Sequence, residues 1–425
     1  MSRFRPARFI GVLIGTVAIL AVGVYGPATL LGPLPAATAT ILTPPASSAN
    51  ASPPLMPAAG SSAIVALAVD DSGAIEAPAT PAAPLAVGGA SEPLPLASIA
   101  KVITALVVLD AKPLAAGEAG PAVTLTTEDY QSYLDYSTRG SRSVTVFQGE
   151  VWSEQELLQA MLLGSSNNHA DTVARWAFGS VDAYVTAANA WLAAGGFADT
   201  SVADATGLAD ASAGTGTDLA GIAALAAGNP VVSEILANPA SALAGRRGID
   251  NTTAYLPELG ITGISRSYTD AAGVCFLFTA TVADGDKTFI FSGAIVGEPD
   301  YTTLDSDLTA LMDSARAGIT ELPVLTQGDA YVDFQTAWGA SASGVVGVSK
   351  TQFGWQASAP VDPTIDLDTL TTGRAGTVVG RVTTQTSAGE ASSALELDRA
   401  LTDPGPGWRL LNPIPVITAL LDSRN

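Results

Sequence analysis

The sequence predicts an α+β protein in which an antiparallel sheet combines with a cluster of helices, followed by a small all-β domain. Helical spacing of apolar residues dominates the middle of the 425-residue chain. Two apolar runs beyond Leu256, separated by the turn Asp284-Gly285-Asp286, predict neighbouring β-strands. From about Pro323 onward, short β-type runs alternate with turns rich in Gly, Pro and Asp, which is typical of a sandwich-like β domain.

The N-terminus predicts an export segment. Arg3, Arg5 and Arg8 precede an uncharged stretch from Phe9 to Leu31. A helix of this length, at about 1.5 Å per residue, would cross a hydrocarbon core of about 30 Å, and basic residues before the span predict a cytoplasmic N-terminus. A small-residue stretch at 35–39 offers a cleavage site, but it lies far from the most apolar part. We therefore favour a retained membrane anchor over a cleaved signal, and either one places the body outside the cytoplasm.

Four regions follow from these patterns. We expect an anchor or signal segment at 1–31, a Pro/Ala/Ser-rich linker at 32–61, a domain at 62–322 and a C-terminal β-rich domain at 323–425. The linker carries no charge and is expected to be an extended tether rather than a folded element. Within 62–322, the patterns predict strands at Ile64–Val69, Gly273–Thr281 and Thr288–Val296, and helices at Val181–Ala194, Asp218–Ala227 and Thr302–Ala317.

The chain is strongly acidic, with 40 Asp and Glu against 19 Lys and Arg and a formal net charge of -21. Nucleic acid is therefore not expected as a partner, because nucleic-acid binding needs a basic face. The single cysteine, Cys275, cannot form an intrachain disulfide, and the single histidine, His169, is interpreted as a helix residue with local contacts. Because no second His or Cys accompanies them, we expect no metal site, and no cofactor is expected.

The most informative motif is Ser98-Ile99-Ala100-Lys101, at the start of an apolar helix. Residues three apart share a helix face, so the Ser hydroxyl and the Lys amine are expected side by side. A Ser hydroxyl needs a neighbouring base to act as a nucleophile, and a Lys serves as that base only where its pKa is lowered. The chain has four lysines, and only Lys101 has so apolar a setting.

A second motif, Ser165-Ser166-Asn167, follows after a helical block. A helix ending at Gly164 would present Ser165 and Asn167 on a tight loop. A Ser hydroxyl can relay a proton, and an Asn amide can hold a peptide carbonyl while it also bonds a catalytic Lys.

These two motifs resemble the signature of the serine D-alanyl-D-alanine carboxypeptidases, the low-molecular-mass penicillin-binding proteins. Three more segments are similar to that family: Val181–Ala190, the run from Thr200 to Leu208 that ends in Gly-Leu, and the Tyr-Thr-Asp-Ala-Ala-Gly run within Ser267–Cys275. The resemblance covers about 63–322. It implies a β-lactamase/DD-peptidase-like catalytic domain at 62–322, and a β-sandwich after that domain is also usual in the family.

The resemblance also implies a chemistry. Ser98 would form an acyl-enzyme with peptidoglycan stem peptides ending in D-Ala-D-Ala, and Lys101 would be its base. Ser165 would pass the proton to the departing D-Ala, while Asn167 would hold the substrate backbone. The oxyanion hole would come from the backbone N–H groups of Ser98 and Tyr268. β-Lactams are expected as inhibitors.

The third family motif, K-T-G, is altered. It falls on Ser265-Arg266-Ser267, so that the positive charge moves one residue along the strand and Ser267 adds a Cβ where substrate should approach closely. On a flat strand, that step turns the charged side chain to the other face. Arg266 either reaches round to clamp the substrate carboxylate or is a solvated strand residue in a degenerate site. We expect Ser265, Arg266, Ser267 and Tyr268 to bind substrate.

Two other functions are compatible with parts of the sequence. A catalytically degenerate cell-wall-binding or scaffolding protein on the same fold is favoured by the altered third motif and disfavoured by the four intact catalytic positions. A β-lactamase is disfavoured because no E-x-x-L-N element that could position a hydrolytic water lies between Asn167 and Ser265. The β-rich tail is also unlike that family.

Overall fold

The computed structural model describes residues 10, 13–17, 19, 21–43, 54–69, 73–78, 82–355, 363–386 and 389–423. The chain divides into two compact units, one formed by 50–322 with 353–359 and the other by 1–49, 323–352 and 360–425. Each unit encloses its own hydrophobic core. The candidate catalytic residues all belong to the first unit.

The first unit is built on a five-stranded antiparallel sheet. Its strands, in order across the sheet, are Ile261–Thr269, Gly273–Asp284, Lys287–Glu298, Ser61–Leu67 and Ala86–Gly89. The pairing of Asp284 with Lys287 closes the hairpin at the predicted turn. The strand Ile261–Thr269 forms one edge of the sheet, so its outer side is free to border a site.

A cluster of helices covers one face of this sheet, and a single long helix packs against the other. Cys275 and Leu277 contribute to the core shared with the helical cluster, whereas Phe276 and Phe278 contribute to the core beside the long helix. Successive strand residues point to opposite faces, so the apolar run of this strand serves both cores. The helices of the cluster are Ala100–Ala111, Thr127–Thr138, Glu154–Leu163, Asn167–Phe178, Val181–Ala194, Gly216–Gly228 and Pro230–Ala237, and the long helix is Tyr301–Gly318.

Short elements complete the first unit. The small antiparallel pairs are Leu94–Pro95 with Ala213–Gly214, Ala122–Thr124 with Val151–Ser153, and Ala240–Leu243 with Arg246–Ile249. Two short turns of 3₁₀-helix are Ala97–Ile99 and Pro257–Leu259. The predicted α+β class, with an antiparallel sheet and a helical cluster, is confirmed.

The second unit contains a six-stranded antiparallel sheet, which confirms the predicted β-rich domain. Its strands, in order across the sheet, are Thr38–Ile41, Ala330–Gln335, Ser341–Val346, Gly389–Leu397, Val378–Thr386 and Thr364–Leu367. Val332, Phe334 and Leu395 are among the fully buried residues of its core. The remaining elements of this part of the chain are the strands Thr320–Leu325 and Lys350–Gly354, the π-helical turn Ala21–Tyr25 and the helices Gly26–Leu30, Gly405–Leu411 and Pro413–Asp422.

The expectation of an unfolded tether throughout 32–61 needs a correction. Thr38–Ile41 is a strand that pairs antiparallel with Ala330–Gln335, with Ile41 opposite Val332. The segment Thr-Ala-Thr-Ile is rich in β-branched residues and completes the edge of a sheet whose other strands lie almost three hundred residues later. Residues 44–53 lie outside the described residues.

The N-terminal segment is apolar enough to cross a membrane. The stretch Leu13–Leu30 has a mean hydropathy of 1.8 and the length of a span, by composition alone. Parts of the predicted anchor before Leu13 lie outside the described residues, and the choice between anchor and cleaved signal stays a prediction.

The core beside the long helix should contribute strongly to the stability of the first unit. Phe291 is fully buried there, with its ring centroid 6.4 Å from that of Phe278 and 6.1 Å from that of Trp355. Phe291→Ala should lower the free energy of unfolding by about 3–5 kcal/mol, because a cavity adds to the lost burial. Val87→Ala, at a 60% exposed position of the same sheet, should stay within about 0.5 kcal/mol of wild type in the same urea titration.

Candidate active site

The predicted nucleophile and base are in direct contact. Ser98 lies on the 3₁₀ turn that leads into the helix Ala100–Ala111, and Lys101 follows in its first turn. The Lys101 Nζ donates hydrogen bonds to Ser98 Oγ at 2.9 Å and to the Thr206 carbonyl at 2.9 Å. The motif spacing therefore brings the amine to the hydroxyl as expected.

Lys101 is buried in the interior of the helical cluster. Only 2% of the residue is exposed, and this burial lowers the pKa of its amine to about 7. The charges of Asp204 and Asp171 oppose the shift, whereas the positive charge of Arg142 adds to it. A substantial fraction of the amine is therefore neutral at neutral pH, and a neutral amine can accept the proton of the Ser98 hydroxyl.

A tight loop at 203–208 holds the second partner of Lys101. The Asp204 carboxylate accepts hydrogen bonds from the backbone N–H groups of Gly207 at 3.0 Å and Leu208 at 3.1 Å. Gly207 has a φ of +78°, and a Cβ there would lie 1.7 Å from the Ala97 carbonyl oxygen, so only glycine fits. The loop thus fixes the Thr206 carbonyl against Lys101. Local sequence patterns do not reveal the roles of Asp204 and Thr206, although the Gly-Leu ending of their segment resembles the family.

The second motif occupies the predicted loop. The helix Glu154–Leu163 ends at Gly164, and Ser165 follows with a φ of +51°, in the left-handed region that non-glycine residues rarely adopt. Ser165 Oγ and Asn167 Oδ1 are buried, and neither has a hydrogen-bond partner among the described residues. Backbone strain beside unsatisfied polar atoms is typical of a site that waits for a ligand.

His169 makes the local contacts expected of it. Its Nδ1 lies 2.8 Å from Ser166 Oγ, and its ring packs against Trp152. Burial lowers the pKa of the imidazole to about 3, so it stays neutral. It lies beside the second motif rather than beside Ser98.

The side chains of the third motif point to different faces of the sheet. Ser265 and Ser267 are buried and pair with Leu277 and Cys275, which belong to the core of the helical cluster. The Ser98 backbone N–H donates to Ser267 Oγ at 3.2 Å. The side chain of Tyr268 is exposed and its hydroxyl donates to Asp270.

Arg266 projects to the opposite face from its two serine neighbours. Its guanidinium carbon lies 4.7 Å from the ring centroid of Tyr255 and 5.8 Å from that of Tyr301, and its Nη2 donates to the Thr252 carbonyl at 3.2 Å. The interpretation as a merely solvated strand residue is therefore wrong, because the side chain is stacked and hydrogen-bonded. A carboxylate clamp by Arg266 stays a prediction.

An open pocket joins the three motifs. It is lined by Ser98, Lys101, Val102, Met161, Leu162, Ser165, Thr253, Ile264, Ser265 and Arg266. In the part of the chain that the structure describes, no cluster of His, Cys, Asp and Glu could hold a metal ion. Asn167 follows two residues after Ser165, which lines the pocket. Ser267 accepts a hydrogen bond from the backbone N–H of Ser98, another lining residue.

The sequence of this segment matches a family model. Residues 80–290, which include all three motifs, match the model described as D-alanyl-D-alanine carboxypeptidase. The segment 80–290, about half of the chain, belongs to the D-alanyl-D-alanine carboxypeptidase family. By the family pattern, we expect Ser98 and Lys101 to supply the S-x-x-K motif, Ser165 and Asn167 the S-x-N motif, and the altered strand motif to stand where K-T-G is usual.

Individual relatives agree with the family assignment. A D-alanyl-D-alanine endopeptidase from Pseudomonas aeruginosa is 28% identical over 196 residues, which are 44% of this chain and 60% of that protein. The match thus spans only about three fifths of that relative.

Solved structures share the fold of this carboxypeptidase-family chain. A D-alanyl-D-alanine carboxypeptidase from Francisella tularensis matches with a TM-score of 0.54 at 15% identity, covering 86% of this chain and 97% of its own. Penicillin binding protein 5 from Haemophilus influenzae matches with a TM-score of 0.55 at 18% identity, covering 83% and 100%. These similarities confirm the DD-peptidase-like fold.

The burial of Lys101 should be visible in the pH dependence of stability. Its pKa is about 7 in the folded protein against a usual value of 10.5, so the unfolded chain binds more protons between these two pH values. Stability should therefore rise with pH in this window, and Lys101→Met should remove that rise. Relative to Lys101→Met, wild type should gain about 1–2 kcal/mol of unfolding free energy from about pH 7.5 to 9.

The control is Lys350→Met, at an exposed lysine of the second unit. Its urea-unfolding free energy should run parallel to that of wild type over the same pH range. A constant difference between wild type and Lys101→Met would mean that the amine is not held neutral by burial.

Proposed function

We propose that this protein is a serine-type D-Ala-D-Ala carboxypeptidase that acts on peptidoglycan stem peptides outside the cytoplasm. The observation that supports it most strongly is the contact of 2.9 Å between Ser98 Oγ and the buried Lys101 amine, whose pKa is lowered to about 7. The N-terminal apolar segment, which is long enough to cross a membrane, supports location at the cell membrane. Peptidoglycan lies on the outer side of that membrane. β-Lactams are expected to acylate the same serine.

The proposed reaction is acyl transfer in two steps. Ser98 Oγ attacks the carbonyl carbon between the two terminal D-Ala residues, and Lys101 Nζ takes the hydroxyl proton. The C–N bond then breaks, the proton reaches the departing D-Ala nitrogen through Ser165, and an ester remains on Ser98. Water hydrolyses this ester, which releases the shortened peptide and restores the hydroxyl. Asn167 holds the substrate backbone during both steps.

The oxyanion hole carries a feature specific to this chain. By the family pattern, the Ser98 N–H should donate to the developing oxyanion, and in the structure it donates to Ser267 Oγ at 3.2 Å. Substrate must therefore displace the Ser267 hydroxyl before this donor can act. The proposed enzyme is accordingly expected to be slow compared with a relative that has glycine at this position.

A catalytically degenerate cell-wall-binding protein is the second candidate. The occupied Ser98 N–H and the loss of the motif lysine at Ser265 favour it. The preserved contact between Ser98 and Lys101 disfavours it, because a binding role does not need an activated serine.

Labelling by a fluorescent penicillin separates the two candidates. The full-length protein should become covalently labelled, and Ser98→Ala should lose the label completely. Lys101→Ala should also lose it, since nucleophile and base act as a unit. Absence of label from a folded wild-type protein would reject the carboxypeptidase and favour the binding role.

Removal of the Ser267 hydroxyl should accelerate acylation. Ser267→Gly frees the Ser98 N–H from its hydrogen bond, which is worth about 1 kcal/mol for a neutral pair, so the second-order labelling rate should rise about 5-fold. Ser137→Gly, at an exposed position on the helix Thr127–Thr138, serves as a control and should leave the labelling rate unchanged. A labelling rate that falls in Ser267→Gly would show that the hydroxyl assists the reaction instead.

A further inference from the structure

The backbone at Arg142 is held beside the second motif. It lies in the segment between the helix Thr127–Thr138 and the strand Val151–Ser153. Its carbonyl accepts a hydrogen bond from the Asn167 N–H at 3.0 Å. Two residues on, Val144 exchanges hydrogen bonds with the Asn168 side-chain amide at 3.1 and 3.0 Å. The backbone that carries Arg142 is thus tied to the loop that carries Asn167.

The side chain of Arg142 meets that of Arg266 at a single residue. Arg142 Nη1 donates to Thr252 Oγ1 at 3.1 Å, and Arg266 Nη2 donates to the Thr252 carbonyl at 3.2 Å. The next residue, Thr253, lines the same pocket as Ser98 and Arg266. Two guanidinium groups therefore meet at Thr252, next to a residue that lines the pocket.

Neither guanidinium has a counterion in the described part of the chain. The ion pairs there involve other basic residues, such as Arg175 with Asp129 and Arg246 with Glu150. Arg142 and Arg266 are thus two neighbouring cations that form no direct ion pair among the described residues. A planar fork of donors on each arginine suits a carboxylate, which accepts two parallel hydrogen bonds.

We infer that Arg142 and Arg266 together form the subsite that binds the terminal carboxylate of the substrate. This inference rests on the proposed function and deepens it. The third motif has lost its lysine at Ser265, so the cation that selects a free C-terminus comes instead from the segment before the second motif. Arg142 is then a specificity-determining residue that the three motifs do not include. It remains exposed and can reorient from Thr252 to an incoming anion.

The positive charge of Arg142 also acts on the catalytic base. Its charge contributes to the lowered pKa of Lys101, behind the larger effect of burial. A bound carboxylate would neutralise part of that charge. The two effects of Arg142 are separable. Its effect on the pKa of Lys101 influences every substrate, whereas carboxylate binding influences only substrates with a free C-terminus.

The test compares two peptides that differ only at the C-terminus. One ends in D-Ala-D-Ala with a free carboxylate, and the other carries a C-terminal amide. In Arg142→Gln, the ratio of kcat/KM for the acid over the amide should fall about 10- to 100-fold, the range expected for a lost charged hydrogen bond. Arg142→Lys should retain part of the ratio, since it keeps the charge without the fork. Arg266→Gln should lower the ratio as well.

Arg139→Gln is the matched control. Arg139 is an exposed arginine three residues away at the end of the helix Thr127–Thr138, and its loss should leave the ratio at the wild-type value. If wild type is acylated by penicillin without cleaving either peptide, the same ratio is taken from acylation rates with benzylpenicillin and its methyl ester.

The outcomes distinguish the subsite from the reaction itself. An unchanged ratio in Arg142→Gln, or an equal fall for both peptides, would overturn the subsite while the proposed carboxypeptidase stands. A wild-type protein that neither cleaves a peptide nor takes a penicillin label would overturn both. A selective loss of the acid substrate in Arg142→Gln, with no loss in Arg139→Gln, supports the subsite.

Discussion

The buried amine of Lys101 is the interaction on which the rest of the site depends. A charged ammonium is costly in an apolar interior, and the protein lowers this cost by letting the group lose its proton near neutral pH. Among the residues that the structure describes, the amine is then held by two hydrogen bonds, to Ser98 Oγ and the Thr206 carbonyl. Burial thus supplies an unprotonated amine, and the two hydrogen bonds hold it where an activated serine needs it.

Other features of the first unit keep this arrangement in place. Gly207 allows its loop to approach the Ala97 carbonyl, which brings the Thr206 oxygen within reach of Lys101. Positive φ angles at Ala97 and Ser165 store backbone strain on both sides of the pocket. The cores on the two faces of the sheet support this strain, because each anchors the edge strand that carries the third motif.

The sequence predicted much of the fold and part of the site. The strand pair around Asp284-Gly285-Asp286 and the helix at 181–194 follow from local patterns, and Ser98, Lys101 and Ser165 follow from motif spacing. The strand Thr38–Ile41 was missed because its partner lies far away in sequence, where local composition gives no signal. Arg142 was missed for the same reason, since only the folded chain brings it to Thr252 and Arg266. The bond from Ser98 to Ser267 likewise depends on tertiary register.

The most direct test of this account is the pH dependence of Ser98 acylation by a penicillin, measured as a second-order rate from intact-protein mass. The account predicts a rate that rises with pH and levels off above a midpoint of about 7, because the neutral Lys101 amine is the base. A rate that shows no dependence on pH between about 5 and 9, or a midpoint near the ordinary lysine pKa of about 10.4, would contradict it.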